Sequence, residues 1–269
     1  MAVILIHIGN ELPAYLDDCI KQLRIWGNNQ IHLFTDKELK QFDNDKKIIQ
    51  YGKLQFFSPP GSFWDVTCKR LFYLECAMCY LKLKSAWHIE NDNLVYCNLY
   101  TVANSHDWAG IGITPCTDTE STANFMLVNK IDALSRMTTK ILELMELGID
   151  VIKEKYKCAF VGEMRLLQIV SELIPNDFFH FPILNEHGDY SIYDCASWGQ
   201  LLDGIPGAPG VPGVFDVHTI GHYLLSLPEA ERKIDWLIDE QGRKYPTFKG
   251  NKIMNLHIHS KRLHLWISK

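Results

Sequence analysis

The sequence lacks the long runs that would direct it to a membrane or to nucleic acid. No apolar stretch approaches the roughly 20 residues of a membrane-spanning helix, so no transmembrane segment is expected. The net charge is −5 and no long basic run occurs, which argues against nucleic acid as the main partner. The apolar run at the N-terminus has no basic segment before it and no small-residue cleavage site after it. We therefore interpret it as a first strand rather than a signal peptide.

A pair of cysteine motifs of the kind that binds zinc is also missing. The eight cysteines are scattered among apolar residues, and only Cys76 and Cys79 have the C-x-x-C spacing. Because this pair falls inside a helical pattern and has no second pair to join it, we interpret both residues as buried thiols. Scattered thiols of this kind are typical of a reducing, cytoplasmic protein.

Strand and helix patterns alternate at the start of the chain. Residues 2–8 form a continuous apolar run, which is typical of a strand buried on both faces. A helical pattern follows as far as Gly27, and residues 30–36 resemble a second strand with a polar carboxyl end. This order predicts a Rossmann-like βαβ unit with a parallel pair of strands and a right-handed crossover. No linker interrupts the chain, so we expect one α/β domain spanning 1–269 with a C-terminal β and loop elaboration.

The rest of the chain continues the alternation. A long helix is expected to begin near Ser62, where Asp65 has the spacing of a capping box. The Gly-Pro triplets at 204–213 are too few for a triple helix and predict a polyproline-II surface loop. The other predicted segments are strands at 86–90, 108–114 and 123–129, helices at 130–147, 161–173 and 194–202, and a β-rich tail at 252–261.

Polar residues collect where the predicted parallel strands end, and ligands bind at that edge of an α/β sheet. Glu90 and Asp92 are two residues apart, so in an extended chain they share a side. Hard oxygen ligands of this kind suit Mg²⁺ or Mn²⁺, particularly when phosphate oxygens complete the shell. An isolated E-x-D is more often a plain turn, and only its context favours a metal. The candidate residues at the three strand ends are Ile8, Gly9 and Asn10, then Thr35 and Asp36, and finally Glu90, Asn91 and Asp92.

The order of elements around this motif supplies that context. A βαβ unit, a long helix, an apolar strand, acid-x-acid and a short strand precede "STANFMLVN". This order resembles the GT-A family of nucleotide-sugar-dependent glycosyltransferases, with "HIENDNLVY" (88–96) in the place of the family's D-x-D motif. The likeness runs from Val3 to about Lys261. It implies that Asp92 is a ligand of a divalent metal, and that Glu90 and Asn91 lie beside the donor diphosphate.

The tail adds a second group of candidates. In "NLHIHSK" (255–261), two-residue alternation places His257, His259 and Lys261 on one face of an extended strand. The resemblance implies a late histidine on the metal and a lysine on the diphosphate, and the sequence does not choose between the two histidines. A buried, hydrogen-bonded histidine beside an exposed one is the plain alternative.

Three further positions follow from the same resemblance. An arginine on the long helix is implied to hold the nucleotide, and Arg70 fits. Glu163 and Asp194 each stand at a predicted helix start, where a carboxylate is commonly just a cap. The family places a catalytic or acceptor-binding carboxylate at such a start, and Asp194 is the first choice. Tyr193 and Trp198 beside it are candidates for stacking on a sugar, although core packing explains them equally well.

Together these features predict a metal-dependent, hexosyltransferase-type enzyme. It would move a sugar from a nucleoside-diphosphate sugar, UDP-linked by expectation, to a hydroxyl of a glycan or protein acceptor. Residues 1–100 would bind the nucleotide and residues 101–269 the donor sugar and acceptor, with Mn²⁺ or Mg²⁺ as cofactor. A homodimer is compatible with the sequence.

Two other functions remain open. A sugar nucleotidyltransferase shares the doubly wound core, but its Gly-rich, basic loop is missing after the first strand. The second is an inert protein that binds a sugar nucleotide or glycan without catalysis.

Overall fold

The apolar run at the start of the chain forms the first strand of a six-stranded sheet. The computed structural model describes residues 1–105, 107–183, 191–194, 202 and 233–268. The predicted Gly-Pro loop and Trp198 lie outside these residues, as does most of the predicted helix 194–202. The strands are β1 (Val3–Ile6), β2 (Ile31–Phe34), β3 (Ala86–Ile89), β4 (Asn93–Val95), β5 (Ile111–Thr117), β6 (Glu120–Val128), β7 (Phe178–His180), β8 (Ser191–Ile192), β9 (Asp235–Ile238), β10 (Lys244–Phe248), β11 (Asn251–Ile253) and β12 (Asn255–His257).

Helices join these strands and cover the sheet. Three of those described begin close to where the sequence predicts them, at Phe63, Ile131 and Glu163. The helices are α1 (Tyr15–Ile25), α2 (Asp36–Leu39), α3 (Lys46–Leu54), α4 (Phe63–Tyr80), α5 (Leu99–Ala103), α6 (Ile131–Leu147), α7 (Ile149–Tyr156) and α8 (Glu163–Leu173). None of the helices in the described part of the chain is long and apolar enough to cross a membrane.

The sheet is mixed, with the order β2-β1-β3-β6-β5-β7. Strand β1 pairs in parallel with β2 and β3, whereas β6 runs antiparallel to β3 and β5. The carboxyl ends of β1, β2, β3 and β5 therefore meet at one edge, together with the start of β6. The prediction of an α/β fold opening with a βαβ unit is confirmed.

Both faces of the sheet are covered, which explains why β1 contains only apolar residues. Ile4 and Ile6 pack into one core with α4, α6 and α8, while Val3 and Leu5 pack into a second core with α1. All four side chains are at most 1% exposed. Each fully buried side chain of this size contributes roughly 1.5–3 kcal/mol through burial of apolar surface.

Two local predictions are wrong. Ser62 makes no capping bond at the start of α4, and Asp65 instead accepts hydrogen bonds from Gly61 N at 2.7 Å and Tyr51 Oη at 2.9 Å. Asp65 therefore fixes the helix start through the preceding loop. Cys79 is exposed rather than buried.

The tail returns to the centre of the molecule through a short antiparallel pair. Strand β12 pairs with β4 so that His257 lies opposite Asn93. Leu256 and Ile258 are fully buried, and Ile258 N donates to Asp92 O at 2.9 Å. Burial and strand pairing together bring the tail against the acidic segment that follows β3.

Candidate active site

The acidic segment is a tight turn between β3 and β4. Glu90 N donates to Asn124 O on β6 at 2.9 Å, and Asn93 N closes the turn on Glu90 O at 3.0 Å. Between them, Asn91 Nδ2 donates to Ile6 O at the end of β1 over 3.3 Å. The motif is thus held from both neighbouring strands, β1 and β6, and its carboxylates are directed to the carboxyl edge.

His257 meets both carboxylates of the motif. Its Nε2 lies 3.1 Å from Asp92 Oδ2 and 3.2 Å from Glu90 Oε2. One ligand atom from each of the three residues lies within 4.8 Å of the others, an arrangement able to hold a metal ion. Burial opposes the charged imidazole, but the carboxylates of Asp92 and Glu90 outweigh it and raise the pKa of His257 to about 9.

Lys261 also pairs with Asp92, through Nζ and Oδ2. Burial by itself would raise the pKa of Asp92, yet the nearby charges of His257 and Lys261 hold it well below its ordinary range. The same pairing raises the pKa of the Lys261 ammonium, although partial desolvation of this 45% exposed side chain opposes the rise. Asp92 is therefore a permanently ionised group between two cationic partners.

The structure separates the two candidate histidines. The ring of His259 packs edge-on against that of His257, with centroids 4.5 Å apart. It lines the same cavity, but it stands behind His257 and is not part of the three-residue cluster. Burial and the neighbouring His257 lower the pKa of His259 to about 3, so it stays neutral.

Asp194 lies next to this cluster but faces the backbone. Its Oδ2 accepts a hydrogen bond from His257 N at 3.0 Å, and its own N donates to Asn255 Oδ1 at 3.0 Å. The side chain is fully buried and does not line the cavity. The expected acceptor-binding position for Asp194 is thus replaced by one that orients His257. The ring of Tyr193 stacks on Phe181 in the core with centroids 4.5 Å apart, so of the two roles left open for Tyr193 the structure favours core packing.

Arg70 connects the long helix to the motif. One of its guanidinium nitrogens lies 2.7 Å from Glu90 Oε1, and both side chains are largely buried. Glu90 therefore links Arg70 on one side with His257 on the other. Charge-assisted contacts of this kind fix side-chain orientation more firmly than neutral hydrogen bonds do.

The residues predicted after β1 and β2 divide into two groups. Ile8 lines the cavity, whereas Gly9, Thr35 and Asp36 do not. Asp36 Oδ1 accepts a hydrogen bond from Gly9 N at 3.0 Å. Thr35 caps the start of α2, and its backbone N donates to Glu38 Oε2 at 3.1 Å. These residues brace the loop after β1 instead of facing the cavity.

Glu163, the first residue of α8, is buried and lines the cavity. A helix N-terminus normally favours a charged carboxylate. Here burial dominates, and the nearby charge of Glu90 adds to it, so that the pKa of Glu163 rises to about 8 although Arg70 partly opposes the change. Glu163 is therefore mainly protonated at neutral pH.

A cavity of about 490 Å³ joins these groups at the carboxyl edge of the sheet. Sequence reasoning missed several of its walls, including His7 and Tyr15. Phe63 and Trp64 are two more walls of the cavity. Their adjacent aromatic side chains at the start of α4 could have indicated this, because α4 begins at the same edge of the sheet. The described lining residues are Ile6, His7, Ile8, Tyr15, Phe63, Trp64, Val66, Thr67, Arg70, Glu90, Asn91, Asp92, Cys116, Thr122, Glu163, Met164, His257, His259 and Lys261.

The chain was compared with known proteins. No family model matches it, and no curated protein matches its sequence. Among solved structures it is similar to mouse xyloside xylosyltransferase 1 in its apo form, with a TM-score of 0.45 and 12% identity over 73% of this chain and 88% of that one.

Two further solved structures illustrate the range of similarity. One is the galactosyltransferase LgtC in complex with donor and acceptor sugar analogs, with a TM-score of 0.40 and 12% identity over 68% of this chain and 74% of that one. The other is a cytidylyltransferase from Leptospira borgpetersenii, with a TM-score of 0.37 and 13% identity over 70% and 77% of the two chains.

Proposed function

We propose that this protein is a divalent-cation-dependent glycosyltransferase that moves a sugar from a UDP-sugar to an acceptor hydroxyl. The observation that carries the proposal is the meeting of Glu90, Asp92 and His257 at the carboxyl edge of a parallel-rich sheet. Ligands of α/β sheets bind at that edge. The cluster opens into a cavity of about 490 Å³, within the range of sites for small molecules and cofactors.

The donor set fits Mn²⁺ or Mg²⁺. Two carboxylates and one imidazole form a hard, mainly oxygen site, and neither metal requires more protein ligands when phosphate oxygens are available. Lys261 and His257 place positive charge beside Asp92 in the described structure, and a bound cation would take the place of the proton on His257, which must leave before the imidazole can coordinate. When bound, the cation would neutralise the charge that develops on the departing diphosphate.

Two side chains of this chain would assist with the diphosphate. Lys261 carries a compact ammonium charge next to Asp92, and a point charge of this kind suits a phosphate oxygen. Arg70 is held against Glu90 and offers planar donors to the same region. Both residues would stabilise the leaving group by fixed electrostatics rather than by proton transfer.

Glu163 is the better candidate for proton transfer. It lines the cavity, whereas Asp194 supports the backbone of His257. A carboxyl group with a pKa of about 8 is matched to proton transfer near neutral pH. In an inverting reaction the ionised form of Glu163, the minor form at neutral pH, would take the proton of the acceptor hydroxyl. In a retaining reaction Glu163 would instead orient the sugar.

The test is UDP release from a panel of UDP-sugars, measured with Mn²⁺ and with a chelator. We expect Mn²⁺-dependent release from at least one donor, and Mn²⁺-dependent UDP binding by calorimetry. UDP binding without turnover of any donor would identify a binding protein instead of an enzyme. Absence of both binding and turnover would contradict the proposal.

A further inference from the structure

Three aromatic rings stand together at the mouth of the cavity. Phe63 and Trp64 begin α4, and Phe160 precedes α8. The ring centroid of Trp64 lies 4.9 Å from that of Phe63 and 5.3 Å from that of Phe160. Phe63 is 53% exposed and Phe160 is 51% exposed, so much of this aromatic surface faces outward. We call these three residues the aromatic platform.

The platform is held in place by a close backbone approach. A Cβ atom on Gly162 would lie 2.7 Å from Trp64 Cε3 and 2.9 Å from Phe160 Cε1, closer than real contacts allow. Both rings therefore pack directly on the glycine backbone, and no larger residue fits there without moving them. Trp64 is only partly buried, and its indole N–H makes no hydrogen bond within the described ranges.

The platform is continuous with the candidate active site. Phe63 and Trp64 line the same cavity as Glu90 and Asp92. Glu163, the candidate for proton transfer, follows Gly162 directly. Helix α4, which carries Phe63 and Trp64, packs on β1 and on α8, and α8 packs on β6, so the platform lies where the two helices meet beside the cavity.

We propose that the aromatic platform is the acceptor subsite and that the acceptor is a carbohydrate. A pyranose ring has an apolar C–H face that would stack on the rings, while its hydroxyls remain at the rim. There they would reach the N–H of Trp64 and the carboxyl of Glu163. An alkyl chain would cover the rings but leave both polar groups unpaired, which is unfavourable at a partly buried site. This inference rests on the proposed function for the role of Glu163.

The experiment measures binding of the full chain, with UDP and Mn²⁺, to an array of defined oligosaccharides. Trp64→Ala and Phe160→Ala are compared with the wild type, and Tyr100→Ala is the matched control because Tyr100 is 64% exposed and lies outside the cavity lining. We expect about tenfold weaker oligosaccharide binding for Trp64→Ala and a smaller loss for Phe160→Ala. Trp64→Phe should recover part of the affinity, since it keeps a ring but removes the N–H.

Several results would overturn the inference. They are equal oligosaccharide binding by the wild type and both alanine variants, no oligosaccharide binding by the wild type, and binding only to phosphatidylcholine vesicles. Calorimetry with UDP and Mn²⁺ tests the proposed function separately. If oligosaccharides bind through Trp64 but no nucleotide binds, the proposed function fails while the platform remains a carbohydrate site. If UDP binds and turns over while Trp64→Ala has no effect on oligosaccharides, only the platform is wrong.

Discussion

Two groups of carboxylates face the same cavity and differ in their charge. On the β3 side, Asp92 pairs with Lys261 and His257, and its pKa lies well below the ordinary range. On the α8 side, burial raises the pKa of Glu163 to about 8. Both side chains are nearly inaccessible to solvent, so burial alone does not decide the charge. The presence or absence of a close cationic partner does.

Glu90 couples the two sides. It pairs with Arg70 and also lies 3.2 Å from His257 Nε2. Its negative charge contributes to the raised pKa of Glu163, and the charge of Arg70 partly cancels that contribution. The cavity can therefore hold an ionised metal-binding side and a protonated side suited to proton transfer within one small volume.

Removing the charge of Asp92, on the β3 side of the cavity, should have the largest effect on activity. Asp92→Asn keeps the shape of the side chain but replaces a charged carboxylate ligand with a neutral, weaker amide, so we expect Mn²⁺-dependent turnover of UDP-sugar to fall by about 10²–10³-fold. The melting temperature should change by only a few degrees. Asp17→Asn, at an exposed position on α1, is the control and should retain full activity. Undiminished Mn²⁺-dependent turnover in Asp92→Asn would rule out the metal assignment.

The protonated side is tested by Glu163→Gln. This variant keeps the size and hydrogen-bonding capacity of the group but cannot transfer a proton, so kcat should fall by about a hundredfold or more. UDP affinity should be unchanged, because the proposed role of Glu163 is in the reaction and not in nucleotide binding. Calorimetry with UDP and steady-state kinetics separate the two effects. An equal loss of UDP affinity would place Glu163 in the nucleotide site instead.

The two histidines beside Asp92 should differ in their contribution to metal binding. His257 belongs to the cluster and His259 stands behind it. We expect His257→Ala to weaken Mn²⁺ affinity by about tenfold or more, whereas His259→Ala should weaken it only by about threefold through loss of packing. Titration of Mn²⁺ against UDP release measures both. Equal losses of Mn²⁺ affinity in the two variants would show that His257 is not the histidine ligand of the metal.

The smallest effect concerns stability. The folded protein holds the proton of Glu163 up to about pH 8, whereas the ordinary pKa is 4.5, so the unfolded chain releases it earlier. Wild-type stability should therefore fall relative to Glu163→Gln as pH rises from about 4.5 to about 8, and then level off. Urea unfolding of both proteins at about pH 5, 7 and 9 measures the difference, since the other carboxylates titrate in both. A difference that does not change with pH would show that the pKa of Glu163 is ordinary.

Much of the framework was accessible from local patterns. The apolar run of β1 predicted a strand buried on both faces, and Glu90 and Asp92 were recognised because they directly follow another apolar strand. The start of α4 was also found, but its capping interaction was not. Asp65 bonds to Gly61 and to the distant Tyr51, and a contact with a separate helix leaves no trace in local spacing.

Sequence periodicity by itself determined the βαβ core and the acidic turn at a strand end, because these depend on backbone geometry over a few residues. The extended strand predicted to carry His257, His259 and Lys261 is wrong beyond His257: β12 ends there, and a turn in which Lys261 N donates to Ile258 O at 3.1 Å brings Lys261 to the cavity. Only the tertiary structure decided which histidine meets Asp92, that Asp194 supports the tail, and that Glu163 retains its proton. Those outcomes depend on the pairing of β12 with β4 and on burial against α4, between segments far apart in the chain. Charge and burial act through space, so the position of a side chain along the chain does not determine its chemistry.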